Sequence, residues 1–119
     1  MVYRLVSDQE EKIGHYCGVV GLFSQEETNI PETIFFPLFS LQHRGQESCG
    51  IAYKKGNDII AYKDLGMVAT VLSKYLKEKK LSKIGIGHVR YSTQGGNRIE
   101  NAQPLVVNCN KGTIALAHN

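Results

Sequence analysis

Apolar and polar positions along the chain follow two periods, and together these predict an order of strands and helices. Short apolar runs rich in β-branched residues are typical of buried strands, and they span 17–23, 49–54, 58–63, 83–90, 104–108 and 112–118. Apolar residues at helical spacing follow Pro31 and recur over 67–81. The order β-α-β-β-α-β-β-β, in which hairpins separate the helices, favours an α+β domain with mainly antiparallel sheets.

Turn-forming residues indicate where these elements end. Lys55-Gly56-Asn57 and Asn110-Lys111-Gly112 each separate two strand patterns and predict hairpin turns. Residues 24–30 are polar and are expected to form a loop, as is the stretch 91–103, which is rich in glycine, asparagine, serine and threonine. Gly45 is expected to end the first helix.

Charge and hydropathy exclude several classes of protein. The net charge of +3 is too small to indicate a nucleic-acid partner. The lysine-rich positions of 67–81 fall mostly opposite its apolar side, so they are most simply a solvated helix face. No stretch approaches the roughly 18 apolar residues that a membrane-spanning helix needs. We therefore expect a protein with neither a membrane nor a nucleic-acid partner.

The cysteines and histidines do not predict a metal site. Cys17, Cys49 and Cys109 are far apart in the sequence, which argues against a disulfide framework and a local zinc or iron–sulfur site. No two histidines are four residues apart. Unpaired cysteines suit a reducing compartment such as the cytoplasm, and we interpret Cys49 and Cys109 as small buried hydrophobes.

Both ends of the sequence suggest a piece of a longer, processed protein. Residues 1–16 are polar and lack the apolar core of a secretory signal, so they suit a removable leader or, equally, a frayed N-terminus. The last apolar run reaches His118-Asn119 without a following turn or cap. Since domains seldom end inside a core strand, we expect a fragment of a longer chain.

Cys17 can act as a nucleophile only if a base lies beside it. A free cysteine has a pKa of about 8.5, so only roughly 3% is thiolate at pH 7. The α-amine of the same residue, with a pKa of about 7.7–8.0, could take the thiol proton. While Tyr16 is attached this nitrogen is an amide without a basic lone pair. The hypothesis is therefore a zymogen that cleavage before Cys17 activates.

Four segments, in this order, resemble the glutamine amidotransferase domain of N-terminal-nucleophile type. They are Cys17-Gly18-Val19-Val20-Gly21, residues 41–51, residues 85–93, and Asn101-Ala102-Gln103-Pro104 followed by 116–119. The resemblance extends over residues 17–119. The residues at 43–47, 90–93 and 101–104 resemble those of the glutamine phosphoribosylpyrophosphate amidotransferase branch. They are less similar to those of the glucosamine-6-phosphate synthase and asparagine synthetase branches.

The resemblance implies a fold and a reaction. The fold would be a four-layer αββα sandwich, truncated at its C-terminus, with a leader over 1–16 and the N-terminal part of the domain over 17–119. Glutamine would be hydrolysed, and ammonia would pass to phosphoribosylpyrophosphate in a further domain, as in de novo purine synthesis. The alternatives are another amidotransferase of this class, such as a glucosamine-6-phosphate synthase, and a non-catalytic remnant that serves as a binding or folding module.

The resemblance also implies the site residues. Cys17 would be the nucleophile and Asn119 the oxyanion-hole asparagine. Arg90 would clamp the α-carboxylate of glutamine through two parallel hydrogen bonds, with a hydroxyl from Thr93, while Arg44 would order the neighbouring loop. The glycine that follows the asparagine in that family supplies a second oxyanion donor. Because losing one such donor costs about 2.7–4 kcal/mol, we expect the 119-residue chain to be inactive alone.

The resemblance places cofactors outside this sequence. No cofactor is expected within these 119 residues. Magnesium would belong to the second domain, and some relatives with propeptides also hold a 4Fe–4S cluster whose ligands would lie beyond residue 119. The full-length protein would be a homo-oligomer.

Overall fold

A computed structural model describes residues 16–44, 47–91 and 98–119, apart from the side chain of Arg44. The helices and strands are β1 (Gly18–Asn29), α1 (Ile30–Ser40), β2 (Ser48–Lys55), β3 (Asp58–Leu65), α2 (Val68–Val71), β4 (Leu81–Arg90), β5 (Leu105–Cys109) and β6 (Gly112–Leu116). Short 3-10 turns lie at Gln42–Arg44, Ser73–Tyr75 and Ile99–Asn101. The predicted element order is confirmed.

Both sheets are antiparallel, which confirms the α+β class. The larger sheet has the order β1-β4-β2-β3, and β5 and β6 form a separate two-stranded sheet. In β4, Val89 pairs with Gly18 of β1 on one side and with Cys49 of β2 on the other. The start of the edge strand β1 therefore lies beside the end of β4, at one end of the sheet.

Helix α1 covers one face of the larger sheet. Ile30, Ile34 and Leu38 recur every fourth residue and are fully buried. They lie directly on β4 because Gly87 has no side chain: a Cβ there would be 2.7 Å from Cγ2 of Ile34 and 2.8 Å from Cδ1 of Leu38. The rest of this core comes from the sheet and from the α2 segment and comprises Cys49, Ile51, Tyr53, Val68, Val71, Leu72 and Val89.

The opposite face of the sheet is only partly covered. The β5–β6 hairpin lies over it, and a cavity of about 290 Å³ lies between Ala52 and Ile86 on one side and Thr113 and Ala115 on the other. Apolar side chains beyond the hairpin remain exposed, and Phe23 is 80% accessible. Within the described ranges the layers are thus helix, sheet and hairpin. None of the helices in that part of the chain is long and apolar enough to cross a membrane.

The first strand is longer than the sequence indicates. Residues 24–30, expected to form a loop, continue β1 to Asn29, where Thr28 pairs with Ser82 and Asn29 with Leu81. The register shifts between Phe23 and Thr28, which is an irregularity of the β-bulge kind. The polar run is compatible with a strand because β1 is an edge strand whose outer side faces solvent.

The helix expected over 67–81 is wrong in length. Helix α2 has four residues, and a 3-10 turn follows it. Lys80 is bound to the end of β1 and the start of α1: the Lys80 N–H donates to Asn29 Oδ1 at 2.9 Å, and the Ile30 N–H donates to the Lys80 carbonyl at 3.0 Å. Leu81 is thereby placed to begin β4.

The end of the first helix also differs from the prediction. Helix α1 ends at Ser40, where the N–H of Leu41 donates to the carbonyls of Pro37 and Leu38. Gly45, which the sequence indicates as its end, lies outside the described residues.

Candidate functional site

Cys17 lies at the junction of β1 and β4. Its side chain is half-buried, and its Sγ donates a long hydrogen bond of 3.6 Å to the carbonyl of Tyr91. Gly18 pairs with Val89, so the next position in the same register places Cys17 alongside Arg90. Gly18 and Val89 face α1, since a Cβ on Gly18 would meet the side chains of Leu41 and Val89. By strand alternation, Cys17 and Arg90 belong to the opposite face.

His88 ties the C-terminal residues to that same face. It lies two positions before Arg90, and its buried Nε2 donates to the carbonyl of His118 at 3.0 Å. Burial lowers the pKa of His88 below its usual 6.5, the nearby charges of His118 and Arg90 lower it further, and the hydrogen bond opposes them. Its Nδ1 has no partner among the described residues. His88 therefore connects β4 to the main chain at His118.

Gln103 holds the other side of the same residue. Its Oε1 accepts a hydrogen bond from the His118 N–H at 2.9 Å, and only 9% of Gln103 is exposed. The main chain of His118 is thus hydrogen-bonded through both its N–H and its C=O. Asn119 follows directly, so the two bonds bring it to the face that carries Cys17 and Arg90.

Segment 102–104 is itself fixed to the sheet. The Nζ of Lys63 donates to the carbonyls of Ala102 at 2.8 Å and Pro104 at 3.2 Å. Gly50 allows the close approach, because a Cβ there would lie 2.4 Å from the Gln103 carbonyl oxygen. Sequence reasoning missed these contacts. Its one signal was the run 101–104, which the resemblance included without giving any of its side chains a role.

The structure places the predicted site residues as follows. Cys17 and Arg90 share one end of the sheet, and the exposed Asn119 follows the hydrogen-bonded His118. The backbone of Arg44 lies in the 3-10 turn Gln42–Arg44, but its side chain is not described. Thr93 lies outside the described residues. Over the described ranges, no group of three or more histidine, cysteine or acidic side chains could hold a metal ion.

The other two cysteines differ from one another. Cys49 is buried, and burial, aided by the negative charge of Asp64, raises its pKa to about 12, so its thiol stays protonated. The interpretation of Cys49 as a core residue is confirmed. The same interpretation of Cys109 is wrong: this residue is exposed beside the hairpin turn, where its Sγ donates to the Gly112 carbonyl at 3.1 Å. Cys109 ends β5, a strand that is exposed over its whole length.

Comparisons with known proteins support the resemblance. No protein-family model matches the chain. The amidophosphoribosyltransferase of Methanocaldococcus jannaschii is 48% identical over 103 residues, which cover 87% of this chain and 22% of that protein. The Methanothermobacter thermautotrophicus amidophosphoribosyltransferase is 45% identical over 111 residues, with 92% and 23% covered.

A solved structure agrees with these relatives. It is the glutamine phosphoribosylpyrophosphate amidotransferase from Bacillus subtilis complexed with ADP and GMP. Its TM-score is 0.69 at 42% identity, over 85% of this chain and 21% of that one. The chain spans about a fifth of the length of these relatives. It is similar to the N-terminal part of amidophosphoribosyltransferases, which confirms the resemblance found in the sequence.

Proposed function

We propose that residues 17–119 are the N-terminal part of the glutaminase domain of a glutamine-dependent amidophosphoribosyltransferase. The observation that carries the proposal is the placement of Cys17 beside Arg90, in a chain 48% identical to such an enzyme over 103 residues. A nucleophile can attack the side-chain amide of glutamine. A cation close to it can bind the α-carboxylate of the same molecule.

Cys17 is the proposed nucleophile, with its own α-amine as the base. The amine takes the thiol proton, and the thiolate attacks the carbon of the glutamine side-chain amide. The C–N bond then breaks, the amine returns the proton to the departing ammonia, and water hydrolyses the thioester to glutamate. These steps require a free α-amine on Cys17, so the peptide bond between Tyr16 and Cys17 must first be cut. Tyr16 is exposed, which suits access to the bond that must be cut.

Arg90 is proposed to bind the α-carboxylate of glutamine. It is half-buried at the end of β4, where a guanidinium can form two parallel hydrogen bonds to a carboxylate. Thr93, three residues on, would add its hydroxyl to the same carboxylate. Arg44 would order the loop that follows its 3-10 turn. The rigid sheet would thus fix one end of the substrate while Cys17 reacts with the other.

Asn119 is the proposed oxyanion donor. Its carboxamide would face the negative oxygen that develops when Cys17 attacks, and such a donor is effective only when it is held in place beforehand. The two hydrogen bonds to the main chain of His118 supply part of that restraint. A polypeptide of these 119 residues has no residue after Asn119 to act as a second donor, so we propose that it is inactive alone.

The remaining properties of the complete enzyme are also proposals. Ammonia would displace pyrophosphate from phosphoribosylpyrophosphate in a further domain, with magnesium there, in a cytoplasmic homo-oligomer. A 4Fe–4S cluster, if one is present, would be held by residues beyond 119. The partly covered face of the large sheet, with Phe23 exposed, supports an αββα sandwich in which further strands and a second helical layer complete the hairpin side.

Substitution of the nucleophile tests this function. In the complete enzyme, Cys17→Ala should abolish phosphoribosylamine formation from glutamine and leave formation from added ammonia intact. Ammonia bypasses the glutaminase site, so the second rate reports whether the rest of the enzyme is folded. Equal loss of both rates would argue for a structural role of Cys17.

A further inference from the structure

We propose that Gln103 is a positioning residue for glutamine hydrolysis and that it acts through Asn119. Together with His88, it fixes the main chain of His118 and so determines where the Asn119 carboxamide lies. The inference rests on the proposed function, because the position of Asn119 affects a rate only if an oxyanion develops at this site. Gln103 itself need not touch the substrate.

The two hydrogen bonds restrain both peptide groups around His118. The N–H that Gln103 accepts, at 2.9 Å, belongs to the peptide plane before the His118 Cα. The carbonyl that His88 binds, at 3.0 Å, belongs to the plane after it, which also contains the N and Cα of Asn119. Fixing both planes fixes φ and ψ of His118. The position of the Asn119 backbone then follows from these two bonds, together with a third, longer one of 3.3 Å between the Nδ1 of His118 and the Asn119 carbonyl oxygen.

Gln103 is well suited to this role because its own backbone is held on both sides. Lys63 donates to the carbonyls of the residues before and after it, at 2.8 and 3.2 Å. Its carbonyl lies against Gly50, at a distance that leaves no room for a side chain. The position of Asn119 therefore depends, through Gln103, on the adjacent strands β2 and β3 of the large sheet.

Loss of the acceptor oxygen should misplace the oxyanion donor. Without it, the His118 N–H has no partner at that position, and the chain is expected to rearrange to satisfy it. A misplacement of about 1 Å away from the reacting atoms can cost a hundredfold in rate. Glutamine binding depends on Arg90, which the Gln103 side chain does not hold in place, so affinity for glutamine should change little.

The test uses two substitutions in the complete enzyme. Gln103→Met keeps the length of the side chain but removes the acceptor, whereas Gln103→Glu retains an acceptor oxygen. Gln103→Met should lower the glutamine-dependent kcat about tenfold to hundredfold and leave KM for glutamine within about twofold. The glutamine-dependent kcat of Gln103→Glu should be closer to that of wild type than to that of Gln103→Met. The ammonia-dependent rate should be unchanged in both variants.

Asn29→Leu is the matched control. The Oδ1 of Asn29 also accepts a backbone N–H, that of Lys80, at 2.9 Å, but at the end of β1 that lies away from Cys17. This variant loses the same kind of bond and should keep the glutamine-dependent kcat within about twofold of wild type.

The outcomes separate the two levels of the proposal. If Gln103→Met keeps its kcat, lowers kcat only as much as Asn29→Leu does, or loses ammonia-dependent activity equally, the positioning role is overturned. The same holds if Gln103→Glu is as slow as Gln103→Met. These outcomes leave the proposed function standing if Cys17→Ala still abolishes the glutamine-dependent rate alone. If Cys17→Ala does not, the proposed function itself fails.

Discussion

Replacement of Gly50 by alanine adds one methyl group where the large sheet meets segment 102–104. The new Cβ would lie 2.4 Å from the Gln103 carbonyl oxygen, 2.6 Å from the Lys63 Cβ and 3.0 Å from the Tyr62 carbonyl oxygen. Two of these three atoms belong to the backbone, so rotation of a side chain cannot relieve the overlap. The backbone of Gly50 is not in the left-handed region, so alanine brings no backbone strain there. The loss of stability should therefore come from the overlap of the added Cβ with its neighbours.

The size of the effect follows from that overlap. Ordinary van der Waals contact begins at 3.4 Å, so the Gln103 carbonyl must retreat by about 1 Å. Overpacking of this kind costs about 1–3 kcal/mol of stability. Since Gln103 holds His118, the same displacement should reach Asn119 and lower the glutamine-dependent kcat by about tenfold to hundredfold.

Two assays on the complete enzyme measure these effects. Hydrogen exchange should be faster in 98–119, and the glutamine-dependent kcat should fall while the ammonia-dependent rate is retained. Gly21→Ala is the matched control, because it makes the same change in the same sheet with no atom within 4 Å of the added Cβ. Replacing a glycine within a strand in this way should be neutral or slightly stabilising. If the two variants exchange and react alike, the argument from contact at Gly50 is refuted.

Two further predictions concern pH and processing. His88 faces Arg90, His118 and Lys63, and its pKa is lowered in the folded state. Below pH 6.5 this histidine is therefore protonated more in the unfolded than in the folded chain, which favours unfolding. Stability should fall on acidification from pH 6.5 to pH 5.5, and by less in His88→Gln, as measured by urea unfolding; equal losses would contradict this. Intact-mass analysis of the active enzyme should find a chain that begins at Cys17, and full activity with residues 1–16 still attached would refute the zymogen hypothesis.

The sequence predicts the order of elements well because alternation and β-branched residues depend on local burial. It fails where a distant partner decides the structure. Residues 24–30 are polar enough for a loop, yet β4 begins at Leu81 and its first two residues pair with Asn29 and Thr28. The helix pattern of 67–81 does not report that Asn29, 51 residues from Lys80 in the sequence, accepts the Lys80 N–H just before β4 begins.

In the candidate site, too, the sequence predicts some residues and not those that depend on distant contacts. Cys17, Arg90 and Asn119 are accessible to sequence reasoning because their motifs resemble those of a known family. The residues that hold them are not. Lys63 is 41 residues from Pro104, and His88 is 30 residues from His118. No local pattern reports such contacts, since they depend on strand register and on the path of the chain across the sheet.

The most direct test of the central claim is the ratio of glutamine-dependent to ammonia-dependent rates in the Cys17→Ala variant of the complete enzyme. We expect this ratio to fall at least about a thousandfold relative to wild type, because removal of a catalytic nucleophile has effects of that order or larger. The ammonia-dependent rate should stay within about twofold of wild type. An unchanged ratio would contradict the assignment of Cys17 as the nucleophile.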